Sequence, residues 1–243
     1  MSKFLIASLF TLSIGTPACK DTARDETRPS RTATGTGAKS KSDTSADSKN
    51  NITDKTAQSA QGLNLNGTSW TKSCTKNTLS DGRTYYGTDQ FVFADNTASM
   101  ISRYYEDATC QTLLKKETGT LIIQTYKPSS EAIGAFESSV QFTGINVIYE
   151  SIAWANEDQD DYSKSGIVSC QKLNLTRLKE KKDLTDCFRA SYASLFAMRY
   201  GLIRVNGNQL QTGDCSAKPA CTSPATRAKS LSTDIFTKDA VSK

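Results

Sequence analysis

Residues 85–106 read YYGTDQFVFADNTASMISRYYE. Two runs rich in aromatic and β-branched residues, 85–94 and 99–106, flank the dipeptide Asp95-Asn96. Phe91 and Phe93 fall on one parity, so an extended chain turns both toward the same face. Alternation with a period of two, bounded by turn residues, is the signature of a half-buried strand. The same grammar recurs along the chain. Further short runs lie at 70–75, 119–126, 138–151, 166–177, 201–206 and 209–213. Leu121 and Ile123 share a face, as do Val140 and Phe142. Asn206-Gly207-Asn208 supplies positive φ readily and predicts a hairpin. One stretch differs: Leu184, Phe188, Tyr192, Leu195 and Phe196 lie near helical spacing, which predicts a short helix within 184–199.

About seven or eight short strands in some 160 residues predict an all-β domain over 63–222, an antiparallel barrel or a β-sandwich. That length buries one core. Before it, residues 20–62 contain no Phe, Trp, Tyr, Leu, Val, Met or Cys. Such a segment buries too little apolar surface to offset its ordering entropy, so 19–62 is expected to be a disordered tether. Residues 223–243 read as a C-terminal tail, with Ile235-Phe236 as a pair able to dock.

Composition narrows the function. The 243 residues include no histidine, which removes the commonest general base and every histidine metal site. The net charge of +5 is not concentrated on the domain: 63–222 carries 17 basic and 17 acidic side chains, and the excess lies in the flanks. A nucleic-acid binder concentrates its cations on the folded face, so no nucleic-acid partner is expected.

Residues 1–18 have the three parts of an export signal: Lys3, the apolar run FLIASLFTLSI, then Gly15-Thr16-Pro17-Ala18. A small residue directly before Cys19 resembles the lipobox of bacterial lipoproteins, with Thr16 where that family favours Leu. The resemblance implies that Cys19 becomes an acylated N-terminus carrying diacylglycerol and an amide-linked chain such as palmitate. It also implies anchoring in the outer membrane, since Lys20 stands where Asp signals inner-membrane retention. Ordinary cleavage after Ala18, giving a secreted or periplasmic protein, is the alternative.

The cysteine count fits acylation. Of seven cysteines, Cys19 leaves six: Cys74, Cys110, Cys170, Cys187, Cys215 and Cys221. Six pair completely in an oxidising compartment. Nearest-neighbour pairing gives Cys74 with Cys110, Cys170 with Cys187 and Cys215 with Cys221, one of about 15 connectivities. No CxxC motif is present, and no zinc-ligand spacing.

The opening LNLNGTSWTKSC, residues 63–74, is similar to the first strand of lipocalin-like barrels, where a Gly precedes a Trp at the closed end. Here the spacing is Gly67-x-x-Trp70, one residue longer. The order of Trp, Cys, aromatic strand and YYEDATC also resembles small lipocalin-like lipoproteins of Gram-negative bacteria. The resemblance implies a lipocalin-like barrel, a lumen for an apolar molecule and Trp70 at its closed end. It implies no reaction.

The remaining clusters have plain explanations. NEDQDD at 156–161 reads as a solvated hairpin tip; an EF-hand register would place Asp161 where Gly is needed and Ile167 where Glu is needed. RLKEKK at 177–182 reads as a solvated turn. Of the pairs Tyr85-Tyr86 and Tyr104-Tyr105, alternation turns one tyrosine of each outward. The expected protein is a non-catalytic envelope lipoprotein, without metal or cofactor. It binds a small hydrophobic ligand in the barrel, or it is an interaction module with a filled barrel that meets an envelope protein or peptidoglycan.

Overall fold

The alternating stretch forms a long hairpin. In the computed structural model, which describes residues 63–79, 82–215 and 221–240, β3 (Thr84–Ala94) pairs antiparallel with β4 (Thr97–Tyr105) from Ala94–Thr97 to Tyr86–Tyr105. Asp95 makes the turn at φ 51°, a conformation that Asp tolerates better than most residues. Tyr85 and Tyr104 point inward and are buried, while Tyr86 and Tyr105 face each other outside, one tyrosine of each pair outward.

From this hairpin the sheet extends both ways. β1 (Ser69–Lys72) and β2 (Thr75–Thr78) lie in line along β3. β4 is followed by β5 (Leu113–Pro128) and β6 (Ala135–Tyr149), then β8 (Arg199–Asn206) and β9 (Gln209–Thr212). β10 (Phe236–Lys238) pairs with β9 on one side and β1 on the other. The sheet therefore returns to its first strand. It is a closed eight-stranded up-and-down barrel, with β2 continuing β1 and the short β7 (Lys182–Asp183) added to β6. Closure removes the sheet edges and excludes the sandwich.

Three expectations change. The segment 156–161 is not a hairpin tip: it lies inside α1 (Ile152–Lys164). Trp154, Asp158 and Tyr162, spaced four apart, share the face on which Tyr162 is buried, and the surrounding acids disguise that periodicity. The run 166–177 is not a strand: it contains α2 (Val168–Gln171) and irregular chain. The helix within 184–199 is one of three α-helices among the described residues and is shorter than expected. It is α3 (Thr185–Ser191), followed by a 3-10 turn at Ala193–Leu195 before β8 begins.

Residues 223–243 are more than a tail. Besides β10, they supply Arg227, whose Nη1 donates to the carbonyl of Gly201 (3.0 Å) and whose Nε pairs with Glu137 (3.5 Å). Phe236, 3% exposed, packs its ring 5.0 Å from Phe91. The expected domain boundary at 222 therefore cuts away the strand that closes the barrel. The expected signal at 1–18, Cys19 and the tether to 62 lie outside the described residues.

One core joins barrel and helices. Phe91, Phe93, Met100, Leu121, Phe142, Ile145 and Val147 belong to the same buried cluster as Tyr162, Cys170, Leu175, Leu184 and Phe188. Gly119 is required where this core meets β5: a Cβ there would stand 2.5 Å from the Phe142 ring.

The three disulfides join Cys74 to Cys110, Cys170 to Cys187, and Cys215 to Cys221. The second ties α2 to α3, with both cysteines buried. Its sequence separation is 17 residues, for which chain entropy gives about 3 kcal/mol. Replacing Cys170 and Cys187 together by Ala should lower unfolding stability by about that amount, read from urea denaturation. A loss below about 0.5 kcal/mol would mean that the helices hold their places without the bridge.

Candidate functional site

Parity along β5 fixes what the barrel contains. Lys115, Glu117, Gly119, Leu121 and Ile123 all turn inward, and Lys115 and Glu117 are only 5% and 6% exposed. Charged side chains this deep are tolerated only when paired. Lys115 Nζ lies 3.0 Å from Glu117 Oε1 and 3.1 Å from Asp158 Oδ2, the latter presented by α1. The Tyr104 hydroxyl donates to Glu117 Oε2 at 2.8 Å, and the Tyr149 hydroxyl donates to Asp158 Oδ2. The rings of Tyr104, Trp154 and Tyr149 stand 4.6, 5.5 and 5.8 Å from the ammonium. Tyr85 packs on both Tyr104 and Trp154. The result is an ammonium held by two carboxylates within an aromatic cage.

Electrostatics fix the protonation of this cage. Burial pulls the Lys115 ammonium toward its neutral form, but Asp158 and Glu117 reverse that and hold its pKa above the ordinary lysine range. Burial, reinforced by Asp158, pushes Tyr149 far up; burial and Glu117 do the same to Tyr104. Burial raises Tyr85 to about 12 against the opposing pull of Lys115. Lys115 is therefore a fixed cation at neutral pH, neither a base nor a free amine, and the phenols stay protonated as donors. The space beside the cage, bordered by Leu79, Arg83 and Glu157, is about 20 Å³. That is room for about one water molecule.

Beyond a polar layer in which Ser102 donates to Asp89 (2.6 Å), the other end of the interior is apolar. Phe91, Phe93, Met100, Leu121, Phe142 and Ile203 enclose a cavity of about 70 Å³. A water needs roughly 10–15 Å³ on this measure, so the cavity holds about five to seven non-hydrogen atoms. Ordinary ligand pockets are roughly 300–1,000 Å³. Arg199, Ser138 and Thr212 also border it, but the surface the cavity presents is almost wholly apolar.

The residues singled out from sequence are spread over the barrel. Trp70, 2% exposed, lies in register between Phe91 on β3 and Lys238 on β10, with its Nε1 donating to Thr68 (2.8 Å). It plugs the seam where first and last strands meet. Of the six domain cysteines, Cys170 and Cys187 are buried in the core, Cys215 borders the cavity, and Cys74 and Cys110 are half-buried. Arg177, Lys179 and Glu180 of the basic run are exposed. Among the described residues no group of three Cys, Asp or Glu side chains is placed to hold a metal ion. No helix among them is long and apolar enough to cross a membrane.

A second concave surface lies outside the barrel. α2, α3 and β7 border a groove of about 660 Å³ lined by Ile167, Val168, Leu173, Asp183, Asp186 and Ala190. Val168 is 61% exposed there. No protein-family model matches the chain, and no curated protein matches it.

Proposed function

We propose that this is a lipid-anchored protein of the bacterial cell envelope that binds rather than catalyses, and that its ligand is a small, largely apolar molecule held in the barrel. The observation that carries the ligand is the cavity walled by Phe91, Phe93, Met100, Leu121, Phe142 and Ile203. Its volume narrows the expected hydrophobe from a lipid to a body of about six non-hydrogen atoms. The lumen that a lipid would need is occupied by the protein's own side chains, the Lys115 cage among them. The envelope location is supported by the lipobox-like sequence before Cys19 and by the three disulfides, which persist in oxidising compartments. Outer-membrane anchoring follows from acylation of Cys19 without Asp at position 20.

Xenon tests the cavity. In the full chain carrying Cys19→Ser, purified without detergent, pressurising with xenon should shift the methyl resonances of Met100, Leu121 and Ile203. Methyls on the outer surface should stay in place. If the cavity methyls do not respond, the barrel is filled and the carrier role falls.

A second role then takes its place, that of an interaction module docking an envelope protein or peptidoglycan. The exposed Val168 and the groove between α2 and α3 favour it.

A further inference from the structure

Parity along β2 to β5 sorts charge as well as apolarity. Over residues 75–120 the acids of these strands, Asp89 and Glu117, turn inward, where Asp89 accepts from Ser102 and Glu117 from Tyr104. The cations other than Lys115 turn outward. Lys76 on β2 stands opposite Tyr86, and Tyr86 opposite Tyr105. Two residues along β4, Arg103 stands opposite Lys116. Lys76 is exposed, and Arg103 and Lys116 are half-buried among their neighbours.

Like charges directly across an antiparallel pair repel. Inside the barrel and at its seam, cations are neutralised: Lys115 by Glu117 and Asp158, Lys72 by Asp234, and Arg227 by Glu137. Lys76, Arg103 and Lys116 are not, since none lies within ion-pair distance of a carboxylate among the described residues. The Arg103 Nη2 donates to the neutral amide of Gln90 (2.9 Å), which in turn donates to Asp239 at the seam (2.8 Å). In the loop beyond Tyr105, Asp107 is taken up by the amides of Thr109 and Thr112 (2.9 and 2.6 Å), which leaves Glu106 as the acid at the edge. Tyr86 and Tyr105 are half-buried, and neither hydroxyl bonds another described residue.

Three cations and two phenols therefore share an outward face whose strands present no acid. Lys76 and Lys116 are three strand spacings apart, about 14 Å along the sheet, which is more than a small anion bridges. The matching partner is broad and anionic, with a boundary that accepts aromatic rings. An anionic bilayer surface has both properties: its phosphates attract Lys and Arg, and Tyr is favoured at headgroup level. The 44 positions from Cys19 to 62 bring that surface within reach, since a coil of that length spans roughly 35 Å. We infer that the outward face of β2 to β5 docks on the anionic surface of the membrane, with Lys76, Arg103 and Lys116 on lipid phosphates and Tyr86 and Tyr105 at the headgroup boundary. The inference rests on the envelope reading and names the face of the barrel that the membrane meets.

Vesicle flotation tests it with the full chain carrying Cys19→Ser, so that no acyl chain contributes. The vesicles are phosphatidylcholine alone, or phosphatidylcholine with about one-third phosphatidylglycerol, in low salt. Each cation at an anionic surface is worth about fivefold. The wild type should therefore bind the anionic vesicles on the order of a hundredfold more tightly, and high salt should remove most of that preference. Replacing Lys76, Arg103 and Lys116 together by Gln should bring the two vesicles within about threefold. Replacing Lys164, Lys172 and Lys229 by Gln changes the net charge equally and should leave the preference in place. Single substitutions on the face, each costing about fivefold, carry the test if the triple variant does not fold. Equal binding of the wild type to both vesicles overturns the inference, as does a control variant that loses as much preference as the face variant. The intact mass of the wild-type chain extracted from membranes reads acylation of Cys19 separately: a missing acyl mass overturns the anchor and leaves the lipid preference of the face standing.

Discussion

Deleting residues 223–243 should leave a chain without a cooperative unfolding transition and with little soluble yield. The deletion removes β10, and with it the pairing of Lys72 with Phe236, Trp70 with Lys238 and Leu210 with Phe236. Both β1 and β9 then become open edges, which invites association between chains. Losing the Phe236 ring alone costs about 3–5 kcal/mol, a large part of an ordinary total of about 5–15 kcal/mol. Glu137 loses Arg227, Lys72 loses Asp234, and Ser69 and Gln90 lose Asp239. Phe236→Ala gives the graded form of the result: a folded barrel destabilised by about 3–5 kcal/mol in urea. A truncated chain that melts at the full-length temperature, followed by near-ultraviolet circular dichroism, would show that the barrel closes without β10.

Lys115→Met should destabilise by a similar amount, about 3–5 kcal/mol, because it strands Glu117 and Asp158 as buried anions. The triple variant Lys115→Met, Glu117→Gln, Asp158→Asn should recover most of that loss, since a cage without charge has no stranded partner. The pH dependence separates the two proteins. In the wild type, Lys115 has a folded pKa above its unfolded value of about 10.4. Its contribution is therefore complete below about pH 10 and is lost as pH rises through the folded pKa. In the Lys115→Met variant that high-pH loss should be absent, because no ammonium remains to be deprotonated. A variant as stable as the wild type at neutral pH would overturn the account of the cage.

Much of the barrel was legible because a strand reports its faces by parity. Phe91 and Phe93 announced the inner face of β3, and Asp95-Asn96 and Gly207-Asn208 announced the turns. The same parity already aligned Lys115 and Glu117 with Leu121 and Ile123. Charge at those positions reads as solvent exposure until Asp158, far along the chain and on a helix, is brought beside them. That helix was hidden for the same reason: six consecutive polar residues masked the four-residue spacing of Trp154, Asp158 and Tyr162. β10 was illegible because three residues, Phe236–Lys238, carry too little alternation to register. Their place is set by partners at the opposite end of the domain. Arg199 was swept into the expected helix, and nothing local marks it as a wall of the cavity.

The seam at Trp70 makes this a fold that is finished only by its last strand. Ser69 and Asp239, 170 residues apart, bond across it. The pairs β3–β4, β4–β5, β5–β6 and β8–β9 are built from neighbours in sequence, so a growing chain can form these hairpins early. It cannot close the ring until residues 236–238 have arrived. Before then β1 and β9 are both open edges and the interior, cage and cavity alike, is open to water. Such long-range closure is slow. Its lateness also means that a chain threaded N-terminus first through a narrow pore meets no completed barrel that would jam it.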